Sequence, residues 1–393
     1  MATPIEKIAE EMAGVRQDLH QNPATSYEEI YISNKICELL TAWGIKHERG
    51  IAVTGVVATI EGQKTDSGKA IGFRADIDAL NIIEETKHNY PSKIKGKMHA
   101  CGHDGHTATL LGAAKYLNET RNFNGKIHLL FQPAEEGGWG AGRMVQEGLF
   151  DKHPMQAVYG FHNWPWMKFG KAGVCAGGIF ASVDEAYIAI KGRGGHAAVP
   201  ENTIDPVVIG SHLVLALQTI VSRNVSPLQQ AVVTIANFNG GTGADNIIAD
   251  TAKLTATLRT YAPETRLRVE KRFHEIVKGV CETFGAEVEI DYRRLYDPTV
   301  NDPHHAAFVG EVLQDVLGAE NVDVDCTPTM AAEDFGTFLQ HKPGCYFFFG
   351  QGTEGGKTAH DEPLHSPRYD FNDKLLLPGI QFWARLAEKA LPL

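Results

Sequence analysis

The sequence predicts an α/β protein of two domains, one of them inserted into the other. Helical and strand patterns alternate over most of the 393 residues, a length that favours more than one hydrophobic core. Within residues 181–293 the order changes to strand, helix, two strands, helix and strand, which is the ferredoxin-like arrangement. We therefore expect a first domain of residues 1–180 and 294–393 and an inserted domain of residues 181–293.

Apolar periodicity predicts the elements of the first domain in order. Residues 5–43 are helical with a break at "HQNPATSYEE", and the helix in "HDGHTATLLGAAKYL" carries Leu110, Leu111, Ala114 and Leu117 on one face. Later helices are predicted from "MAAEDFGTFLQ" and at "LLLPGIQFWARLAEKAL". Buried strands are predicted at Ala70–Ala75, "GKIHLLFQ", "AVYGFHNWP" (ending near His162) and "GCYFFFG".

The inserted domain is predicted from alternating strands and two long helices. Its strands are "SVDEAYIAIKG", "QAVVTIANFNGG", "DTAKLTATLRTY" and "AEVEIDYRR", and its helices are "DPVVIGSHLVLALQTIVSR" and "PETRLRVEKRFHEIVKGVCETFG".

Composition excludes several classes of function. Lys and Arg number 37 against 48 Asp and Glu, a net charge of -11, so we expect no nucleic-acid partner. No apolar run approaches the roughly 18 residues of a membrane span, and the charged N-terminus is not a signal peptide, so we expect no membrane partner. Six scattered cysteines do not form a disulfide framework and favour a cytoplasmic location.

The stretch "MHACGHDGH" concentrates possible metal ligands at the start of a predicted helix. Cys101 and His103 lie two residues apart, between His99 and His106. Alone, the stretch could be a polar helix start in which Asp104 is the N-cap and the cysteine is buried.

Three other segments supply further candidate ligands. "QPAEE" places Glu135 and Glu136 after a strand, "GFHNWP" contains His162, and "DEPLHSPRYDF" contains His365. Each is common alone, but the carboxyl ends of strands in α/β sheets gather ligand sites. Five N, O and S ligands exceed one tetrahedral site and suit two metals that share a bridging ligand.

These motifs resemble the metal-dependent amidohydrolases of the aminoacylase and carboxypeptidase superfamily. "RADIDAL", "MHACGHDGHTATLLGAA", "FQPAEEGGWGAG", "GFHNWP", "GRGGHAAVP", "AEDF" and "LHSPRYDF" occur in the same order and spacing, most similarly to the branch of hippurate hydrolases, N-acyl-amino-acid amidohydrolases and auxin-conjugate hydrolases. The resemblance implies a metallopeptidase-like catalytic domain, with a mixed central sheet flanked by helices, and an inserted lid and dimerisation domain.

The resemblance also implies roles for residues at the centre. Glu135 matches the general base that takes a proton from the attacking water and passes it to the leaving nitrogen. Asp76 matches the aspartate that supports the metal site, and Asp78 is a weaker candidate for the same task. The matched metal ligands are Cys101, His103, Glu136, His162 and His365.

In the inserted domain and after it, four more residues match family positions. His196 matches a histidine that enters the partner subunit's active site and stabilises the oxyanion. Asn246 and Arg259 match substrate-handling residues, and an arginine suits a free α-carboxylate. Either could instead cap a turn or form a surface ion pair. Glu333 is a candidate pocket residue or only a capping glutamate.

The resemblance implies hydrolysis of N-acyl (acetyl, benzoyl or other aromatic acyl) amino acids by two divalent ions of zinc, manganese, cobalt or nickel. If His196 acts in trans, a homodimer or homotetramer is required. The alternatives are a dipeptidase or aminopeptidase of the same superfamily, a metal-free hydrolase with Cys101 as nucleophile and His103 or His106 as base, and a silent metal-binding protein.

Overall fold

The computed structural model describes residues 2–393, which divide into two compact units. One unit comprises the chain up to Ile179 together with Val300–Pro328 and Asp334–Leu393, and the other comprises Phe180–Thr299 and Thr329–Glu333. The helices are α1 (Ile5–Gln21), α2 (Ile30–Ala42), α3 (His103–Thr120), α4 (Gly140–Gln146), α5 (Leu149–Lys152), α6 (Pro206–Thr219), α7 (Pro263–Thr283), α8 (Pro303–Leu317), α9 (Gly336–Leu339) and α10 (Leu376–Ala390). The strands are β1 (Lys46–Ile51), β2 (Gly55–Glu61), β3 (Ala70–Asp76), β4 (Lys126–Gln132), β5 (Ala157–Lys168), β6 (Ala172–Gly173), β7 (Gly177–Phe180), β8 (Val183–Lys191), β9 (Gly195–His196), β10 (Ala231–Gly240), β11 (Ile247–Ile248), β12 (Thr251–Thr260), β13 (Glu287–Tyr296), β14 (Thr299–Asn301), β15 (Val322–Asp323) and β16 (Gly344–Gly352).

The first unit is built on an eight-stranded mixed sheet in the order β1-β2-β4-β3-β5-β16-β6-β15. Strands β4, β3, β5 and β16 run parallel to one another, so their carboxyl ends lie at one edge. Helices α1, α3, α8 and α10 bury apolar side chains in the core of this unit, which includes Phe73, Leu110, Phe347 and Trp383. The predicted α/β fold with a mixed central sheet flanked by helices is confirmed.

The second unit contains a four-stranded antiparallel sheet in the order β10-β12-β8-β13, covered by α6 and α7. With two helices in the order βαββαβ, this is the ferredoxin-like arrangement. Ile188, Leu213, Leu254 and Phe273 belong to its separate apolar core.

Helix α6 and the π turn that follows it differ from one expectation. Together they form Pro206–Asn224, a segment long and apolar enough to cross a membrane by length and composition, with a mean hydropathy of 1.3 over an 18-residue window. The expectation of no such run was therefore wrong. The segment buries Ile209, Leu213 and Leu217 in the core of the second unit, and a helix that packs on a sheet passes the same test.

Two predicted boundaries were also wrong. Strand β5 does not end near His162 but continues to Lys168, because β16 pairs with it in parallel through Trp164 and Lys168. The helix predicted from "MAAEDFGTFLQ" is only the four-residue α9, which begins at Gly336.

Candidate metal centre

Four segments of the first unit bring thiol, imidazole and carboxylate groups together. Cys101 and His103 lie at the start of α3, Glu136 follows β4, His162 lies within β5, and His365 lies in the loop before α10. One ligand atom from each member of three sets lies within 4.8 Å of the others in its set: Cys101, His103 and His162; Cys101, Glu136 and His365; and His103, Glu135 and Glu136. The structure therefore brings all five candidate ligands and Glu135 into one cluster.

The start of α3 depends on a glycine. Gly102 precedes the helix with φ 93°, and a Cβ there would lie 2.3 Å from Asn163 Oδ1 and 2.7 Å from the Tyr369 hydroxyl. Only glycine accommodates both the left-handed backbone and this close approach. Cys101 and His103 are thereby presented on either side of a tight turn.

Asp104 does not cap α3, contrary to the expectation. Asp104 lies within the helix, and its Oδ1 accepts a hydrogen bond from Gly105 N–H at 2.9 Å. Its Oδ2 lies 2.8 Å from His20 Nδ1, so the carboxylate connects the first turn of α3 to α1. Gly102, rather than Asp104, is the residue from which the helix starts.

His103 has the orientation of a metal ligand. Its Nδ1 lies 2.9 Å from the Asp78 carbonyl oxygen, to which it can only donate. In the neutral ring the Nε2 atom is then an acceptor, and it is buried without a hydrogen-bond partner among residues 2–393. An acceptor buried beside a thiol and two carboxylates is suited to bind a divalent cation. Metal-binding histidines are commonly oriented in this way, by a hydrogen bond from the ring nitrogen that does not bind the metal.

His162 is oriented in a similar way by the backbone. Its Nδ1 lies 2.8 Å from the Asn163 carbonyl oxygen, and its Nε2 lies 3.4 Å from Cys101 Sγ. Although His162 lies in the middle of β5 rather than at its end, its side chain still reaches the thiol.

The carboxylate of Asp78 holds the loop that carries the two adjacent glutamates. Its Oδ1 accepts from Glu135 N–H at 3.0 Å and its Oδ2 accepts from Glu136 N–H at 2.9 Å. Ala134 directly before them has φ 55°, a conformation rare for residues other than glycine. Such strain persists where surrounding contacts impose it, here including Glu29 Oε1, which accepts from Ala134 N–H at 2.9 Å.

Glu136 and His365 form the exposed side of the cluster. Glu136 Oε1 lies 3.1 Å from His365 Nε2, and the His365 side chain is 52% exposed. His365 also has a positive φ of 67° and donates its backbone N–H to Ala100 O at 2.8 Å. The backbone bond ties this distant loop to the segment that precedes Cys101.

Asp76 and His106 form a buried pair beside the ligands. Asp76 Oδ1 lies 2.6 Å from His106 Nδ1, and its Oδ2 lies 2.7 Å from Arg74 Nη1 and 3.5 Å from His103 Nε2. His106 Nε2 lies 2.7 Å from Asn163 Oδ1. Both His106 ring nitrogens thus have polar neighbours, which favours a structural role for this histidine.

A buried network around Arg74 was not predicted. Its guanidinium donates to Gln132 Oε1 at 2.8 Å and to the Tyr346 hydroxyl at 3.1 Å, and its Nη2 lies 3.2 Å from Asp334 Oδ1. Asp334 also accepts from Ala141 N–H at 2.9 Å. The "RADID" and "AEDF" motifs contain Arg74 and Asp334, but the sequence predicts a site role for Glu333 and not for its neighbour Asp334.

The electrostatics of the cluster favour a cation. Burial raises the pKa of the Cys101 thiol, and the carboxylates of Glu136, Glu135 and Asp76 raise it further. Burial alone would lower the pKa of His103, but Asp76 and Asp78 outweigh it and raise the pKa to about 10. The pKa of Glu136 is lowered, because contacts with His365 and His103 outweigh its burial. The carboxylates thus stabilise positive charge at this position.

The comparison with known families is decisive. The sequence model of peptidase family M20/M25/M40 matches residues 72–389. This chain belongs to that family. The resemblance drawn from the motifs is therefore confirmed.

Individual M20 proteins match the chain over nearly its whole length. Hippurate hydrolase of Campylobacter jejuni is 40% identical over 381 residues, covering 97% of each chain. N-acetyl-L-cysteine deacetylase of Bacillus subtilis is 40% identical over 385 residues, covering 98% of this chain and 89% of that protein. The crystal structure of the Bacillus subtilis YXEP protein, a dinuclear metal binding peptidase from the M20 family, matches with a TM-score of 0.84 and 30% identity, covering 98% of this chain and 99% of that one.

The remaining candidates of this M20 chain lie in its second unit. His196 in β9 pairs with Ile247 in β11, and Ala197 N–H donates to the Asn246 carbonyl oxygen at 3.0 Å, so His196 and Asn246 are neighbours. His196 is exposed, whereas Arg259 is half-buried on β12. Burial lowers the pKa of Arg259.

Glu333 is buried and belongs to the second unit, where its carbonyl oxygen accepts from the Thr299 hydroxyl at 3.2 Å.

Proposed function

We propose that this chain is a dinuclear metal-dependent amidohydrolase that cleaves N-acyl amino acids into a carboxylic acid and a free amino acid. The chain is a hydrolase of the M20 family, and its relatives named above act on hippurate or an N-acetyl amino acid. The observation that carries the proposal is that Glu135 lies beside His103 and Glu136 in a cluster that already contains five candidate ligands.

Two divalent ions of zinc, cobalt, nickel or manganese fit the mixed thiolate, imidazole and carboxylate set. We propose Cys101, His103, Glu136, His162 and His365 as the side chains that would hold them. When bound, the ions supply Lewis acidity toward the amide carbonyl and the attacking water. The high pKa of the Cys101 thiol is consistent with this role, because only a cation would make the thiolate stable there.

Glu135 is the proposed general base. Its backbone N–H bond to Asp78 holds it beside Glu136, and its side chain is 6% exposed, so that it reaches the cluster while remaining shielded from bulk water. The carboxylate would take a proton from water as the water attacks the carbonyl carbon. It would then donate that proton to the nitrogen as the C–N bond breaks.

A metal-free cysteine hydrolase is disfavoured by the same electrostatics. A nucleophilic cysteine needs a lowered pKa, whereas the neighbours of Cys101 raise it. Burial also lowers the pKa of His162, the imidazole nearest to the thiol, so the pair stays neutral.

For the second unit we propose a role in substrate binding. His196 Nδ1 accepts from Ala198 N–H at 3.1 Å, so its Nε2 carries a proton and faces outward as a donor. We propose that this donor stabilises the oxyanion in the partner subunit of a homodimer or homotetramer. Asn246 and Arg259 are the proposed substrate-handling residues, with Arg259 binding the α-carboxylate, and Glu333 is a proposed pocket residue.

Mixing two inactive variants tests action across subunits. His196→Ala and Glu135→Gln subunits, dissociated and reassembled together, should regain about a quarter to a half of wild-type activity if His196 serves the partner's site. Each variant reassembled alone is the control. A mixture as inactive as its components would contradict the trans role.

We further propose an aromatic acyl preference and a cytoplasmic location. The Trp164 ring centroid lies 6.3 Å from that of His162 and 4.6 Å from that of Trp166, which places half-buried aromatic surface beside the centre.

The function is tested by measuring free amino acid released from N-acetyl and N-benzoyl amino acids and from matching dipeptides, with each metal added in turn. Acylated substrates should be preferred over dipeptides. Absence of hydrolysis over the acyl series with every metal would contradict the proposal, and faster cleavage of dipeptides would favour a peptidase.

A further inference from the structure

A second cluster of imidazole and carboxylate groups lies in the first unit, between the end of α1 and the loop that follows β3. Glu84 Oε1 lies 3.4 Å from His20 Nε2 and 3.1 Å from His88 Nε2. The ligand atoms of these three residues all lie within 4.8 Å of one another. None of the three residues belongs to the centre described above.

His20 is oriented like a metal-binding histidine. Its Nδ1 lies 2.8 Å from Asp104 Oδ2, and the ring is buried. A carboxylate at Nδ1 fixes a proton there, so Nε2 donates to Glu84 Oε1 while it is protonated and offers a lone pair to a cation once that proton is lost. The same carboxylate–histidine arrangement orients ligands in many metal sites.

His88 is buried without the hydrogen bonds that a buried imidazole needs. Its side chain is 12% exposed, its Nδ1 has no hydrogen-bond partner among the described residues, and its Nε2 lies 3.1 Å from Glu84 Oε1 without good hydrogen-bond geometry. Its ring stacks on Tyr90 with centroids 3.9 Å apart, which fixes its plane. Because buried polar atoms are normally satisfied, the unpartnered Nδ1 and the poorly aligned Nε2–Glu84 contact leave this imidazole free to bind a cation.

Glu84 divides its two oxygens between the backbone and the imidazoles. Its Oε2 accepts from Ser92 N–H at 2.6 Å, which anchors the carboxylate to the loop. Its Oε1 is directed at His20 and His88, and also accepts from the Thr86 hydroxyl. The hydrogen bond from Ser92 N–H to Oε2 thus holds Oε1 in place beside both imidazoles.

The charge of the surroundings favours a divalent cation. The carboxylates of Glu84, Asp104 and Asp370 are almost fully buried. One permanent cation, Arg16, faces them, 3.0 Å from Asp370 and 3.5 Å from Asp104, and it also pairs with Asp373. These carboxylates outnumber Arg16, and a dication that displaced the ring protons would balance the excess of buried negative charge.

We propose that His20, Glu84 and His88 bind a third divalent transition-metal ion. Two imidazoles and one carboxylate suit zinc, cobalt or nickel better than calcium or magnesium, which prefer oxygen ligands. Asp370 Oδ1 lies 3.9 Å from His88 Nε2 and could serve as a fourth ligand only by sharing the oxygen that accepts from Arg16. The ion would connect α1 to the loop that follows β3 and, through Asp104, to the first turn of α3.

Cobalt titration of metal-free full-length protein tests the proposal. Bound cobalt is counted by elemental analysis after dialysis, and the thiolate-to-cobalt absorption separately reports the ions at Cys101. Wild type should bind one equivalent beyond those that saturate the thiolate band. His88→Phe, which retains a ring to stack on Tyr90, should lose that one equivalent, as should Glu84→Gln, which retains an acceptor for Ser92 N–H.

The exposed His304→Phe variant is the matched control and should bind as much cobalt as wild type. A wild-type protein with no equivalent beyond the thiolate sites would overturn the proposal, as would equal stoichiometry in wild type and both cluster variants. Retention of the thiolate band in Glu84→Gln separates loss of this ion from unfolding or from failure of the catalytic centre.

Discussion

Individual residues orient the side chains of the candidate metal centre through hydrogen bonds to atoms that do not themselves face the centre. Asp78 accepts from the His103 ring through its carbonyl oxygen and from the amides of Glu135 and Glu136 through its carboxylate. Cys101 and His103 could be predicted because their motif is distinctive. Asp78 was predicted only as a weaker candidate for supporting the metal site, because each of its contacts involves a backbone atom that no residue pattern specifies.

At this scale, Glu135→Gln should abolish turnover while leaving the metal centre intact. Glutamine preserves size and the backbone bond to Asp78 but cannot take a proton, so kcat should fall by about 10²–10⁴. Metal content, measured by elemental analysis, should equal that of wild type. Glu38→Gln on the surface of α2 is the control and should retain full activity. Activity of Glu135→Gln within tenfold of wild type would show that another group moves the proton.

Helices and strands place the ligands because the parallel strands end at one edge of the sheet. Apolar periodicity predicted α1, α3, α10, β3 and β4 well, since each buries one face or both. The extension of β5 past His162 could not be predicted because it depends on pairing with β16, which is distant in sequence. The start of α3 was misjudged because glycine in a left-handed conformation leaves no side-chain signal.

Gly102→Ala should impair metal binding more than a glycine substitution elsewhere with the same backbone strain. Its Cβ would collide with Asn163 and Tyr369, whereas at Gly96, with φ 82°, a Cβ meets nothing within 4 Å. Both variants should lose about 1–2 kcal/mol of stability from the left-handed backbone. Only Gly102→Ala should also bind zinc at least tenfold more weakly in a competitive chelator titration. Equal zinc affinities in the two variants would contradict the proposed role of the turn.

Strand β4 carries a buried histidine that should make stability depend on pH. Burial, with a smaller effect of His153, lowers the pKa of His128 to about 4. Between pH 6.5 and 4 the unfolded chain binds this proton and the folded chain does not, so stability falls as pH falls through this window. The loss should reach about 3 kcal/mol near pH 4.

Urea unfolding of metal-free protein at several pH values measures that loss. His128→Gln should flatten the decline between pH 6.5 and 4, whereas His304→Gln should leave it as in wild type. An unchanged decline in His128→Gln would assign the pH dependence to other groups.

The chain forms two units, each with its own apolar core, and the candidate metal centre lies in the first unit. The order of elements predicted a ferredoxin-like insertion, because its alternating strands and long helices differ from the buried strands around them. The convergence of Cys101, Glu136, His162 and His365 was anticipated from ligand types near strand ends, and the resemblance assigned each residue its role, because these residues are far apart in sequence. The cluster at His20 had no motif, and only the folded chain brings its residues together.

Removal and restoration of metal measures the central claim most directly. Protein treated with a strong chelator and then dialysed should hydrolyse N-acyl amino acids at less than about 1% of its initial rate. Zinc, cobalt, nickel or manganese should restore the activity as two equivalents bind at the thiolate-containing centre, and Cys101→Ala should not be restored. Full hydrolysis after complete metal removal, abolished instead by alkylation of Cys101, would contradict the account.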